Sequence, residues 1–127
     1  MSRQTDLRTL SAVMSLARVG LGLAFVAAPG PLLRGWMGAR EAASGPATML
    51  ARGLGVRDAL LGLGGCLSLL SDESPRRWLR MGAVADAADV ALTLAIRPGP
   101  SLPVRLLIAG TAAGGAVTFG WLSLLME

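Results

Sequence analysis

Four long apolar runs follow one another along the chain, at about 9–28, 49–70, 78–96 and 105–126, separated by short stretches rich in Pro, Gly, Ser and charge. Each run is long enough for a helix, and each is bounded by a breaker: Pro29-Gly30-Pro31 after the first, Ser71-Asp72-Glu73-Ser74-Pro75 after the second, and Arg97-Pro98-Gly99-Pro100-Ser101-Leu102-Pro103 after the third. The polar residues inside the runs recur at helical spacing. Ser11, Ser15, Arg18 and Gly22 share one face, as do Gly55, Asp58, Gly62 and Gly65, then Gly82, Asp86, Asp89 and Thr93, then Thr111, Gly114, Gly115 and Thr118. Small residues on such faces let neighbouring backbones approach closely, and Gly110-x-x-x-Gly114 is a close-packing motif of that kind. Ala83, Ala87, Ala91 and Ala95 form a second small stripe on the third run, which therefore reads as the central helix.

The pattern predicts an all-α fold, an integral membrane four-helix bundle formed by one domain over residues 1–127. Only the last run, Leu106 to Met126, passes the strict test of about eighteen or more residues without charge. The others carry charges that lipid resists. At a span's centre each Arg or Asp costs about 2.5–3.5 kcal/mol, while each Leu or Val returns only about 0.3–0.6. Between Met49 and Leu70 the aliphatic side chains do not offset Arg52, Arg57 and Asp58, so this segment requires partners of opposite charge on other helices.

Depth supplies them. At about 1.5 Å per residue, Arg18, Arg57 with Asp58, and Asp86 with Asp89 fall near the middle of three separate runs. Arg52 lies higher, toward the level to which Asp89 leans. The expected site is therefore a balanced cluster of Arg18, Arg52, Arg57, Asp58, Asp86 and Asp89.

The connections add detail. Leu32 to Thr48 mixes Leu32, Leu33, Trp36 and Met37 with Arg34 and Arg40, which suits either a short segment in the headgroup region or a solvated loop. Arg76, Arg77 and Trp78 read as an interfacial collar, with Arg80 reaching back toward headgroups. Arg3, Arg8, Arg76 and Arg77 on one side balance Arg34, Arg40, Arg97 and Arg105 on the other, so the positive-inside count is a tie. Two arginines leading the first run favour both termini in the cytoplasm.

Composition agrees with a membrane location. Of 127 residues 53% are hydrophobic, and the mean hydropathy is +0.58. A cleaved signal peptide ending at Val26-Ala27-Ala28 and a soluble helical bundle are the competing readings; Arg18 within the run opposes the first, and apolar residues around most of each helix oppose the second. The net charge of +4 comes from arginine alone, dispersed through or beside apolar runs, so nucleic acid is not expected as a partner. The expected partners are the lipid bilayer, a small hydrophobic or anionic ligand, and a membrane partner protein or second copy of the chain. The expected location is the cell (inner, plasma) membrane, multi-pass.

Catalytic signatures are missing. With no His there is no imidazole base, haem ligand or His-containing zinc site, and the single Cys66 forms no metal set. Gly62-Leu63-Gly64-Gly65 reads as a packing surface. Asp58, Asp86 and Asp89 offer carboxylates to Mg²⁺, but the longer motifs of diphosphate-handling membrane enzymes are not present, so no metal or cofactor is expected.

The succession Phe25-Val26-Ala27-Ala28-Pro29, Trp36-Met37-Gly38, Ala51-Arg52-Gly53-Leu54-Gly55-Val56-Arg57-Asp58 with Leu61-Gly62-Leu63-Gly64, then Trp78 and Asp86-Ala87-Ala88-Asp89 resembles a family of small bacterial integral membrane proteins of unknown function, distantly similar to the four-helix DoxX-like group. The resemblance implies a four-span fold and no particular chemistry. Three roles stay open for the charged cluster: an ion-pair network fixing helix register, a polar cavity for a ligand, ion or proton, or a site completed by a partner. The first expectation for function is a binding or accessory subunit. The alternative is a small membrane enzyme or carrier that uses the intramembrane aspartates.

Overall fold

The computed structural model describes residues 3–95 and 101–126, with the side chains of Trp36 and Glu41 excepted. Most of the third connection, including Arg97, lies outside the described residues. The described chain is helical throughout, as α1 (Arg3–Ala27), α2 (Pro29–Met37), the single turn α3 (Ala39–Ala42), α4 (Gly45–Leu70), α5 (Arg76–Ala95) and α6 (Leu102–Leu125). No strand occurs among these residues.

Two expectations require correction. Of the two readings of the stretch after Pro29, the solvated loop gives way to helix: Pro29 sits at the start of α2, where a proline's missing N–H is no loss, and Gly38 ends that helix at φ 86°. The first run, expected from about residue 9, is likewise preceded by helix from Arg3 onward, so α1 begins well before its apolar stretch.

Nor is the architecture a simple four-helix bundle. Helix α1 lies antiparallel along α4, and α5 lies antiparallel along α6; the two pairs meet mainly where α4 faces α5. Three helices, α1, α4 and α6, are long and apolar enough to cross a membrane. Helix α5 is not, because Arg76, Arg77, Arg80, Asp86 and Asp89 leave it no long uncharged stretch.

Glycine sets the spacing of the first pair. A Cβ on Gly55 would stand 2.5 Å from the Gly22 carbonyl oxygen, and one on Gly62 would stand 2.5 Å from the Ser15 carbonyl oxygen. Both obstacles are backbone, so neither can swing aside. At the α4/α5 junction Gly64 is covered by the ring of Trp78, which the sequence had placed in a surface collar.

Apolar clusters lie toward the two ends. Phe25, Leu33, Ala42 and Ala51 pack together where α1 meets α2, α3 and α4. Leu79, Phe119, Leu122 and Met126 pack at the opposite end, with Leu7, Met14, Leu69 and Ala83 against them. The interior also holds polar side chains: Ser11, Ser15, Arg18, Ser68, Asp86 and Ser123 are buried. Meanwhile Leu16, Leu23, Leu60, Val84, Leu107, Val117 and Leu124 are all more than half exposed. A soluble domain of this size does not present such a surface to water. With polar groups inside, aliphatic groups outside and three helices of spanning length, the chain is a membrane protein.

Two arginines close helix ends that belong to their neighbours. Arg8 on α1 donates to the Leu69 carbonyl at 3.0 Å and to Asp72 at 3.1 Å, just past the end of α4. Asp72 holds the left-handed φ of 55° that ends this helix, while Glu73 N–H returns to the Ser68 carbonyl. Arg105 on α6 donates to the carbonyls of Thr93 and Leu94 at the end of α5. Last-turn carbonyls have no partner within their own helix, and a guanidinium supplies one with favourable charge.

Candidate functional site

Five of the six expected residues form one connected chain across three helices. From α5 inward, Asp86 accepts from Arg18, Arg18 Nη1 lies 3.5 Å from Asp58, and Asp58 Oδ1 accepts from Arg57 Nε at 3.2 Å and Nη2 at 3.0 Å. Arg57 then returns to α5, holding Asp89 in a two-point grip, Nη1 to Oδ1 at 2.9 Å and Nη2 to Oδ2 at 2.7 Å. Such a fork is the geometry in which arginine recognises carboxylate best. Asp58, Asp86 and Asp89 each accept from a guanidinium.

Arg52 is the exception. It is exposed and makes no ion pair among the described residues. The reason is rotational: at about 100° per residue, position 52 is turned some 140° from position 57 and 120° from position 58, so a similar depth does not bring a common face. The expected balance of three arginines and three aspartates is therefore two against three, a formal charge of −1 with all three ionised.

The two ends differ in exposure. Arg18 and Asp86 are 8% and 10% exposed, whereas Arg57 and Asp89 are 31% and 27% exposed. Thus the inner end is sealed among helices and the outer end opens along the α4/α5 seam. An unpartnered charge at the inner end would pay a full desolvation penalty.

The space for the inner end is made by residues that carry no charge. The Arg18 guanidinium carbon lies 4.4 Å from the centroid of the Phe119 ring, a cation–π contact from α6. Gly82 lies beneath it, since a Cβ there would stand 3.5 Å from Arg18 and 3.6 Å from Phe119. Asp86 occupies the place a side chain on Gly115 would take. Gly82 and Gly115 stood on faces marked in the sequence; Phe119 was not legible, since a lone aromatic in an apolar run carries no signal of what lies against it.

Other expected features divide. Ser15, Gly22, Gly55, Gly62 and Gly65 do face between α1 and α4. On α6 only part of the small stripe turns inward. Gly110 and Gly114 have nothing within 4 Å of an added Cβ, so the close-packing motif faces outward from this chain. Thr111 and Thr118 return their hydroxyls to their own helix, donating to the carbonyls of Ile108 and Gly114. Ala87, Ala91 and Ala95 are exposed, leaving Ala83 as the inward member of the alanine stripe.

Two open depressions lie on the α5 side. One of about 400 Å³ runs along the seam, lined by Arg57, Leu61, Arg80, Met81, Val84 and Ala85. The other, about 510 Å³, is lined by Ser74, Arg76, Arg77, Arg80 and Met81. No group of three or more His, Cys, Asp or Glu positioned to hold a metal occurs among the described residues. Cys66 is a partly exposed free thiol on α4.

Fold and site define a helical membrane protein whose charges meet inside it. No family model, curated protein or solved structure matches the chain.

Proposed function

We propose that this protein is a multi-pass plasma-membrane binding or accessory protein, non-enzymatic, whose contact surface is the α4/α5 seam. The carrying observation is the exposure gradient along the charged chain: Arg18 and Asp86 are sealed, while Arg57 and Asp89 reach the seam as a preformed pair. The sealed part supports a clamping role, since Arg18 joins α1 to α5 directly and so fastens one helix pair to the other. With its aspartates paired, α5 crosses beside α4 and α6 as a fourth span despite its charge. The open part supports recognition. A carboxylate gripped at both oxygens is a poor general base, which weighs against catalysis by Asp89.

One observation favours a second reading, a carrier of protons or cations. Three carboxylates face two guanidiniums, and the surplus acid is of the type that moves protons in membranes. Purified protein in liposomes carrying an internal pH dye, driven by a potassium-diffusion potential, separates the two. The binding reading expects the dye response of protein-free vesicles. A flux abolished by Asp89→Asn, in a variant that still inserts and melts like the parent, would replace it with the carrier.

A further inference from the structure

Where the arginines find acceptors inside the protein is known for four of them: Arg8 and Arg105 close helix ends, and Arg18 and Arg57 hold aspartates. Arg76, Arg77 and Arg80 are different. They crowd the first turns of α5, all exposed, and make no ion pair among the described residues. Of the acidic groups in the adjoining turn, Asp72 is engaged by Arg8, and Glu73 is exposed without an ion pair among the described residues. The Ser74 hydroxyl accepts from the Arg76 backbone N–H.

These arginines border an open depression at the head of α5. Arg80 and Met81 line both hollows, so the one at the head of α5 adjoins the one along the seam, which is lined further by Leu61, Val84, Ala85 and Arg57. From Arg80 to Ala85 helix α5 rises about 7.5 Å at 1.5 Å per residue, and the residues beside the two hollows change from Arg76, Arg77 and Arg80 to Leu61, Val84 and Ala85 along the way. A charged mouth above an apolar slot matches an amphiphile with a negative head and a hydrocarbon tail. A free anion would fill the mouth and leave the slot bare.

We infer that Arg76, Arg77 and Arg80 bind the phosphate head of an anionic lipid whose acyl or prenyl chain lies in the α4/α5 groove against Leu61, Met81, Val84 and Ala85. This rests on the reading of the seam as the contact surface and adds the class of its ligand. Guanidinium forks suit phosphate oxygens, and juxtamembrane arginines attract anionic headgroups. The carboxylates that hold Arg57 keep a second anion from being drawn to the lower end, so polarity runs one way along the groove.

The test uses the full chain in nanodiscs containing equal phosphatidylglycerol and phosphatidylcholine, with retained lipid read by native mass spectrometry. The parent is expected to keep phosphatidylglycerol preferentially, and the Arg76→Gln/Arg77→Gln/Arg80→Gln variant to lose that preference by on the order of tenfold. Arg34→Gln/Arg40→Gln, which removes charge from the opposite rim, is expected to leave it intact. Val84→Trp, which fills the slot and spares the arginines, is expected to reduce retention of long-chain lipid. Single Arg80→Gln covers the case in which the triple variant fails to insert. Equal retention of both lipids by the parent, equal loss in the opposite-rim variant, unchanged retention in Val84→Trp or in Arg80→Gln, or thermal stabilisation by inorganic phosphate matching that by phosphatidylglycerol would each overturn the inference. None of these readouts depends on flux, so the seam can fail as a lipid site without reviving the carrier.

Discussion

Arg57 on α4 grips both oxygens of Asp89 on α5 while the same guanidinium touches its own neighbour Asp58. One side chain thus couples two helices and two carboxylates, and the couplings are unequal. Arg57→Gln is expected to lower stability by about 2 kcal/mol, the usual worth of hydrogen bonds to charge. Adding Asp89→Asn is expected to recover part of that loss, because the charge left behind is removed with it. Asp58→Asn is expected to recover less, since Arg18 still reaches that residue. A double-mutant cycle by thermal melting in detergent measures both couplings, and strict additivity for Arg57 with Asp89 would exclude the pairing.

Arg18 carries the heavier consequence. Arg18→Gln leaves Asp58 and Asp86 buried without their shared cation, and a loss of about 3–5 kcal/mol is expected, seen as a protein that fails to accumulate in membranes. Phe119→Leu keeps the ion pairs and removes only the ring above the guanidinium, so a milder loss of about 1 kcal/mol is expected. Equal losses in the two variants would mean that packing around Phe119, not charge, holds the inner end.

Glycines that look alike in sequence are expected to behave oppositely. Gly62→Ala drives a methyl into the Ser15 backbone and Val19, and Gly55→Ala drives one into the Gly22 carbonyl. Each is expected to cost about 1–3 kcal/mol as α1 and α4 part. Gly110→Ala and Gly114→Ala meet open space and are expected to leave the melting temperature unchanged or slightly raised. Intact melting curves for Gly62→Ala would show that the two helices are not in backbone contact.

Ser11 offers a change in the stabilising direction. Its side chain is fully buried and its hydroxyl has no hydrogen-bond partner among the described residues. Ser11→Ala is expected to raise stability by about 1 kcal/mol by removing an unsatisfied polar group while leaving little void. A lower melting temperature would reveal a partner for that hydroxyl.

How much of this was visible in the residues depended on whether the signal was one of depth or of direction. Depth along a helix is a simple count, so Arg18, Asp58, Asp86 and Asp89 could be placed at one level and the need for mutual pairing followed from the cost of burying charge. Rotation adds up over several residues, and there Arg52 was misplaced: only its height was considered, while its facing set it outside. Gly62 and Gly110 show the same limit, because a small residue invites a neighbour without saying whether that neighbour belongs to the same chain. The helix after Pro29 was hidden by its breakers, since Pro29-Gly30-Pro31 ends one helix and starts the next. The separation into two helix pairs had no signature at all; it depends on contacts made across distant parts of the sequence.

The guanidinium groups at the helix ends also imply a timetable. Arg8 is already in place when the end of α4 is synthesised, so the N-terminal pair can finish itself as it emerges. Arg105 follows the helix it completes, and the last carbonyls of α5 wait for α6 to arrive. Arg18 meets Asp58 after 40 residues but waits 68 for Asp86, longer than the 61 and 64 that separate Arg8 from Leu69 and Asp72. Until Asp58 is made, the apolar part of the nascent first helix holds the unpaired charge of Arg18, which makes the insertion machinery its earliest companion and chains truncated before α4 the species most exposed to degradation.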